Sequence, residues 1–276
     1  MLGSSLGFSV MSLLVKLASA ELPTMEIVFA RSVFMGVVSA ALLRRAGGSL
    51  RGHDRRTLVA RGLTGATALS LLYWGLHELP LGEAITVHYT APVWTALAAA
   101  VLLGERLRPS ILVGVAACMT GVVLVAQPSL LFGDAPHPVR PLAVGAVLVA
   151  ALLSGLAYTF VRKLRATDAP MTIIFYLSWI GGVGALPFAL AGGWAWPSPL
   201  GWALLLGIGI STQLGQIGLT HALRLLEAGT ATAIGYVQIV LAFGWGMLIF
   251  GDAPNAASVT GALVVLASVA LIARRG

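Results

Sequence analysis

From Ala169 to Leu223 the chain carries no Lys, Arg, Asp or Glu, and that stretch more than any other limits what the protein can fold into. A segment so long and so apolar has no face fit for water. In lipid, only helices and closed barrels satisfy their own backbone groups. A bilayer core about 30 Å thick needs around 20 apolar residues per helix, so the stretch reads as two spanning helices. They are broken at GGWAWPSP, residues 192–199. Composition agrees: 10% of the 276 residues are charged and 58% hydrophobic, whereas a soluble domain carries roughly a quarter charged residues.

The same punctuation by Gly, Pro and charge clusters predicts ten spans, near residues 2–20, 25–43, 58–77, 83–103, 109–127, 141–161, 170–191, 199–222, 228–250 and 255–273. With ten spans, one face carries Arg44, Arg45, Arg51, Arg55, Arg56, Arg61, Arg106, Arg108, Arg162, Lys163, Arg165, Arg224, Arg274 and Arg275. The other face carries Lys16 and Arg140, and Arg31 is left inside a span. By the positive-inside rule both termini are expected to be cytoplasmic, in a multi-pass protein of the inner membrane. The net charge of +7 is therefore read as topology, with no nucleic-acid partner. The N-terminus has neither the basic region nor the cleavage site of a signal peptide; it reads as the first span, with a few native residues expected to be missing before it. Cys118, the single cysteine, reads as a small buried hydrophobe.

Sliding the chain against itself reveals one ungapped shift of 147 residues. Lys16, Leu17, Pro23 and Ile27 fall on Lys163, Leu164, Pro170 and Ile174. Gly62, Leu72, Leu76, Leu79, Gly82, Ala84 and Tyr89 fall on Gly209, Leu219, Leu223, Leu226, Gly229, Ala231 and Tyr236, while Gly104 and Gly114 fall on Gly251 and Gly261 and Glu105 meets Asp252. A five-helix unit used twice enters the membrane from opposite sides, because five is odd. The expected fold is thus all-α integral membrane: ten transmembrane helices as an inverted-topology duplication, with repeats at 1–127 and 141–276 joined by an external linker at 128–140. Such inverted repeats are a common plan of secondary transporters, whose substrate sites lie near the midplane between the halves.

The stretch APVWTALAAAVLLGERLRPSILVGVAACMTGVVLV, residues 91–125, resembles the helix 4 to helix 5 signature of EamA-type carriers in the drug/metabolite transporter superfamily. Lys16 at the end of the first span, Arg31 early in the second, and LGEAITVHYTAPV leading into the signature support the resemblance, which covers essentially the whole chain. Within that superfamily the aromatic-bearing spans look most like YddG-type aromatic amino-acid exporters. That likeness implies a central cavity lined by spans 1, 3, 4, 6, 8 and 9, and export of amino acids from the cytoplasm by alternating access. The second copy has Gln238 and Ile239 where the first has Ala91 and Pro92, so no role is carried onto those two positions.

Polar residues in hydrocarbon are costly and usually face the bundle interior or a water-filled cavity. Helical spacing gathers Ser5, Ser9, Ser12 and Lys16 on one stripe of the first span, and Thr67, Ser70, Trp74 and His77 on one stripe of the third. Gln213, Gln216 and Thr220, with His221 beside them, share a side of the eighth. In the fourth span His88 lies on the side of Pro92, with Tyr89 and Trp94 flanking. Proline removes a backbone donor and bends the helix. Together with Tyr73, Tyr158 and Tyr236, these residues are the candidate cavity lining. Each also has a plainer reading. The serines can bond their own backbone, the aromatics can pack, and Trp194, Trp196 and Trp202 can anchor at the interface. Arg31 needs a partner, and Glu26 on the same helix is poorly spaced for it. Lys16 can snorkel or meet a substrate carboxylate.

The rival classes fare worse. No GxGD or GxSG protease motif occurs, and the five histidines lack the paired spacing of metal sites. Neither an enzyme nor any cofactor or metal is expected. A proton-coupled multidrug exporter, the nearer alternative, needs a carboxylate deep in the membrane, but Glu21, Glu26, Glu78 and Glu83 all lie toward the external ends of spans. His77, His88 and His221 could titrate near neutral pH, although a neutral hydrogen-bonded imidazole is the favoured reading. The favoured expectation is a monomeric facilitator for a small-molecule substrate, working within the lipid bilayer. A scaffold that transports nothing is the third class.

Overall fold

The structure, a computed structural model, describes residues 2–104, 109–126, 140–225, 235 and 237–275. Among them there are helices and loops and no strand. The helices are α1 (Leu2–Ala18), α2 (Thr24–Arg45), α3 (Arg55–Glu78), α4 (Leu81–His88), α5 (Ala91–Leu103), α6 (Pro109–Ala126), α7 (Pro141–Leu164), α8 (Pro170–Ala191), α9 (Pro199–Leu225), α10 (Val237–Trp245) and α11 (Ala256–Arg275). A π-helical turn, Gly246–Phe250, follows α10 directly. Tyr236, Arg106, Arg108, Glu105, Leu226, Gly229, Ala231 and the expected linker up to residue 139 lie outside the described residues, as does the side chain of Cys118.

Five segments are long and apolar enough to cross a membrane: Thr24–Arg45, Leu81–Leu102, Pro141–Leu164, Pro170–Ala191 and Pro199–Ala222. Leu2–Ala18, Val237–Phe250 and Ala256–Ser268 are shorter apolar helices. Large side chains stand exposed on this bundle, among them Val101 at 80%, Leu248 at 81% and Trp196 at 82%. Exposed apolar surface on that scale calls for lipid rather than water. The protein is a multi-pass membrane protein.

Sequence explains where the helices begin and end. Prolines open α6, α7, α8 and α9, because the first helical position has no use for an N–H and proline presets its φ. Gly104 ends α5 and Gly251 ends the π turn, each at φ +70°, the left-handed cap that favours glycine. Asp54 caps α3 by accepting the Thr57 hydroxyl at 2.6 Å and its backbone N–H at 3.1 Å. The Thr57 side chain first, and its backbone N–H second, hold the Asp54 carboxyl below its ordinary pKa. A depressed pKa means the cap contributes above the unfolded value and is lost as pH falls through the folded one. Asp54→Ala is therefore expected to lower the melting temperature near neutral pH and to matter less in acid, as scanning fluorimetry of wild type and variant at both pH values would reveal.

Helices of the first half pack chiefly on helices of the second: α2 along α8, α3 along α7, α1 along α9 and α6 along α11. Small residues let them approach. A Cβ on Gly121 would lie 2.8 Å from the Gly261 carbonyl, and one on Gly261 would lie 2.6 Å from that of Gly121, so α6 and α11 cross backbone to backbone.

At both ends of the bundle, carboxylates tie loops of the two halves together. Glu21, between α1 and α2, accepts the backbone N–H of Ser198 at 2.6 Å and its hydroxyl at 3.0 Å, while Glu26 accepts the N–H of Ala195 at 3.1 Å. At the other end Asp168, between α7 and α8, accepts the N–H groups of His53 at 2.7 Å and Asp54 at 3.2 Å, in the loop between α2 and α3. The Tyr176 hydroxyl donates to the Arg51 carbonyl at 2.8 Å beside it. Glu21 and Asp168 are separated by the 147-residue interval of the repeat.

Candidate functional site

The helix expected to bend at Pro92 is interrupted: α4 stops at His88 and α5 restarts at Ala91, with Pro92 in its first turn. Tyr89 and Thr90 form the joint, and the break brings the two halves into polar contact. His88 Nε2 lies 3.1 Å from the Ser154 hydroxyl of α7. The Tyr89 hydroxyl lies 2.5 Å from the Gly235 carbonyl and 2.9 Å from Gln238 Oε1; a phenol has one proton, so these acceptors compete for it. Trp94 Nε1 donates to the Thr90 hydroxyl at 3.3 Å. Gln238, which the sequence reading left without a role, is buried at this joint. The signal that could have found it is the one that singled out Gln213: an amide in an apolar span.

The His88–Ser154 bond is a single hydrogen bond of partly buried groups, worth about 1 kcal/mol net. His88→Ala and Ser154→Ala should therefore be less than additive when combined, with a coupling of about that size in a double-mutant cycle of thermal stability.

A second polar cluster lies between α2, α3, α7 and α9. Arg31 is 0% and Arg61 3% exposed. Arg61 corrects the sequence reading: it was counted with the cytoplasmic flank, yet it sits within α3 with its guanidinium over Gly65, where a Cβ would collide with Nη1. The flanking arginines at 55 and 56 hid this, because a positional count assigns a charge near a span end to the surface. Arg31 donates to the Ser32 hydroxyl at 3.2 Å and approaches Met35 Sδ at 3.7 Å, with its guanidinium carbon 5.7 Å from the centre of the Tyr73 ring. Gln213 Nε2 donates to the Ser39 hydroxyl at 3.1 Å, joining α9 to α2, and Gln216 lies buried one turn further along α9.

Among the described residues neither arginine has an ion pair, whereas Glu78 pairs with His77 and with Arg140. Arg31 Nε, Arg61 Nε and Gln216 Oε1 are buried without a hydrogen-bond partner, while the Tyr73 hydroxyl has Thr212 and Arg31 as polar neighbours. An unpaired ion in a protein interior carries a penalty of several kcal/mol. Two such ions lie in this one cluster.

The remaining candidates lie elsewhere. Lys16 Nζ donates to the Leu79 carbonyl at 2.7 Å and lies 5.2 Å from the centre of the Phe250 ring. It thus neutralises the C-terminal end of α3. Ser9 accepts the Trp245 indole N–H at 3.0 Å, and Ser12 bonds the Phe8 carbonyl of its own helix at 2.9 Å. On α3, Thr67 and His77 are exposed and Trp74 half-buried, along the same face as exposed Val59 and Leu63; Tyr73 turns inward. His221 is exposed, whereas Thr220 is buried. Phe29 packs edge-on to Trp194 at 5.7 Å between ring centres, and Trp196 stands free.

The sequence profile of the EamA-like transporter family matches residues 1–127 and 141–274. The chain belongs to that family. Relatives of this EamA-like transporter include the "Pseudopaline exporter CntI" of Pseudomonas aeruginosa, 33% identical over 97% of this chain and 93% of that protein. "Solute carrier family 35 member G1" of Homo sapiens is 30% identical over 95% of this chain and 74% of its own length. The "Probable terminal-alkyne amino-acid exporter" of Streptantibioticus cattleyicolor is 30% identical over 87% and 81%. A solved crystal structure superposes with a TM-score of 0.68 at 20% identity, covering 99% of this chain and 98% of the other. That likeness concerns the fold. The resemblance read at residues 91–125 is thereby placed in its family, whose members named here are exporters or transporters rather than enzymes.

Proposed function

We propose that the chain is a secondary carrier that exports amino acids and amino-acid-like carboxylic metabolites, aromatic ones included, from the cytoplasm by alternating access. One observation carries this reading: four polar contacts, buried or partly buried, cross between the two halves of the bundle. His88 meets Ser154, Tyr89 meets Gln238, Ser39 meets Gln213, and Ser9 meets Trp245. A polar seam between two units is where a transporter opens around its cargo. The naming of relatives as exporters of pseudopaline and of a terminal-alkyne amino acid supports a metabolite with amino-acid character.

The architecture in this proposal is the ten-span inverted duplication, with repeats at 1–127 and 141–276 and both termini cytoplasmic in the inner membrane. The matching carboxylate ties of Glu21 and Asp168 at opposite ends of the bundle, and the paired left-handed caps at Gly104 and Gly251, support it. Transport is taken to run down the substrate gradient, by a monomer, without proton coupling, since Glu21, Glu26, Glu78 and Glu83 belong to the helix ends. The test is uptake by purified protein in liposomes, with aromatic and aliphatic amino acids, cationic drugs and sugar phosphates as competitors. Competition by amino acids and a change of less than twofold on imposing a pH gradient are expected. Competition by cationic drugs alone, with several-fold stimulation by the gradient, would overturn the reading in favour of a proton-coupled drug exporter.

A further inference from the structure

We infer that Arg31 and Arg61 recognise the cargo as a polyanion, so that the preferred substrate is a metabolite with two or more carboxylates and a net negative charge. The inference rests on the carrier reading above and narrows it, ranking acidic substrates ahead of the neutral amino acids that reading also admits. α2 and α3 are consecutive helices joined by the loop at 46–54, so they run in opposite directions. Arg31 lies about two turns from the start of α2 and Arg61 about two turns from the start of α3. The arginines therefore enter from opposite sides of the membrane, and the side chain of Arg61 extends over Gly65 toward the middle of its helix. A Cβ on Gly65 would collide with Arg61 Nη1, and one on Gly181 would lie 3.7 Å from Arg31 Nη2 and 3.5 Å from the Ala66 Cβ, so both guanidinium groups reach the level of residues 65 and 66 of α3; no carboxylate among the described residues neutralises either.

A guanidinium pairs with a carboxylate through two parallel N–H donors. Two of them, with the Tyr73 ring against Arg31, match a molecule bearing two acidic groups. A neutral zwitterion matches poorly. Its carboxylate satisfies one arginine, while its ammonium adds a third positive charge in a region of low dielectric. In the present conformation both arginines are sealed from outside. The cargo reaches them when the halves part along the seam.

The experiment is counterflow in proteoliposomes, with thermal shift in detergent as a second readout. The probes are tricarballylate (three carboxylates, no amine), glutamate, phenylalanine and glucose 6-phosphate. For wild type, exchange of tricarballylate and glutamate at least tenfold faster than phenylalanine is expected, with matching thermal shifts. Arg61→Gln should erase that preference, and Arg61→Lys, which keeps the charge and guards against a folding defect, should retain part of it. Phenylalanine exchanging as fast as tricarballylate, or Arg61→Gln leaving the ranking intact, would overturn the inference while the exporter reading stands. Glucose 6-phosphate moving alone would overturn the carboxylate assignment in favour of phosphate. If no probe exchanges or shifts the melting temperature, the carrier reading falls with it.

Discussion

Gly155→Leu is expected to abolish recovery of a monodisperse folded protein, whereas Gly145→Leu on the same helix should behave as wild type. A Cβ on Gly155 would lie 2.6 Å from the Trp94 Cβ, 2.7 Å from the Thr95 backbone nitrogen and 2.8 Å from the Trp94 carbonyl carbon. Two of these three atoms are backbone, so no rotamer change relieves the clash and α7 has to leave α5. Nothing lies within 4 Å of the same atom on Gly145. Overpacking a core against movable side chains costs about 1–3 kcal/mol; against backbone the cost lies above that range, a large fraction of the roughly 5–15 kcal/mol that holds a protein folded. The measurement is size-exclusion chromatography and thermal unfolding of both variants in one detergent. Wild-type elution and melting of Gly155→Leu would refute the close approach of α5 and α7.

Asp168→Ala is expected to produce the next largest loss. The carboxylate is 5% exposed and accepts two backbone N–H groups from the α2–α3 loop, with the Thr167 hydroxyl at 2.8 Å as a third donor. Hydrogen bonds to a charged group are worth about 1.5–3 kcal/mol each, and a buried N–H left unmet costs about 1–3 kcal/mol. A net loss of roughly 3 kcal/mol follows, and at about 2–4 °C per kcal/mol for a chain of this size the melting temperature falls by about 6–12 °C. Asp168→Asn keeps an acceptor oxygen and should lose about half as much. A fall under about 2 °C for Asp168→Ala would mean the loop is held by Tyr176 and Thr172 alone.

Much of the candidate site could be read before folding because polar side chains are rare in an apolar span. Gln213, Gln216, Arg31 and His88 were conspicuous for that reason; Gln213, Arg31 and His88 meet side chains of other helices, and Gln216 is buried. The break at Pro92 followed from its missing N–H alone. Arg61 escaped notice because its helix begins with two other arginines, and the depth of a charge in a bundle depends on where the helix sits rather than on its distance from a span end. Gln238 escaped because comparison with the first repeat set it against Ala91, and a departure from the repeat was read as absence of a role. Tyr73 and Trp74 illustrate the limit of periodicity. Adjacent residues point about 100° apart on a helix, and only the neighbours of α3 determine that tyrosine turns inward while tryptophan stays half-buried.

The amino-acid sequence by itself determined that the chain lives in a membrane, roughly where its helices start and stop, and that it matches itself at a shift of 147 residues. These are local or periodic properties: apolar length, proline and glycine at helix ends, and self-similarity. Only the tertiary structure decided which side chains meet. Glu21 with Ser198, Tyr89 with Gln238 and Ser39 with Gln213 join residues far apart in the chain. The pattern along one helix gives its face but not its neighbour. That choice belongs to the packing of the two halves against each other, and so does the pair of buried, uncompensated charges on which cargo recognition is proposed to turn.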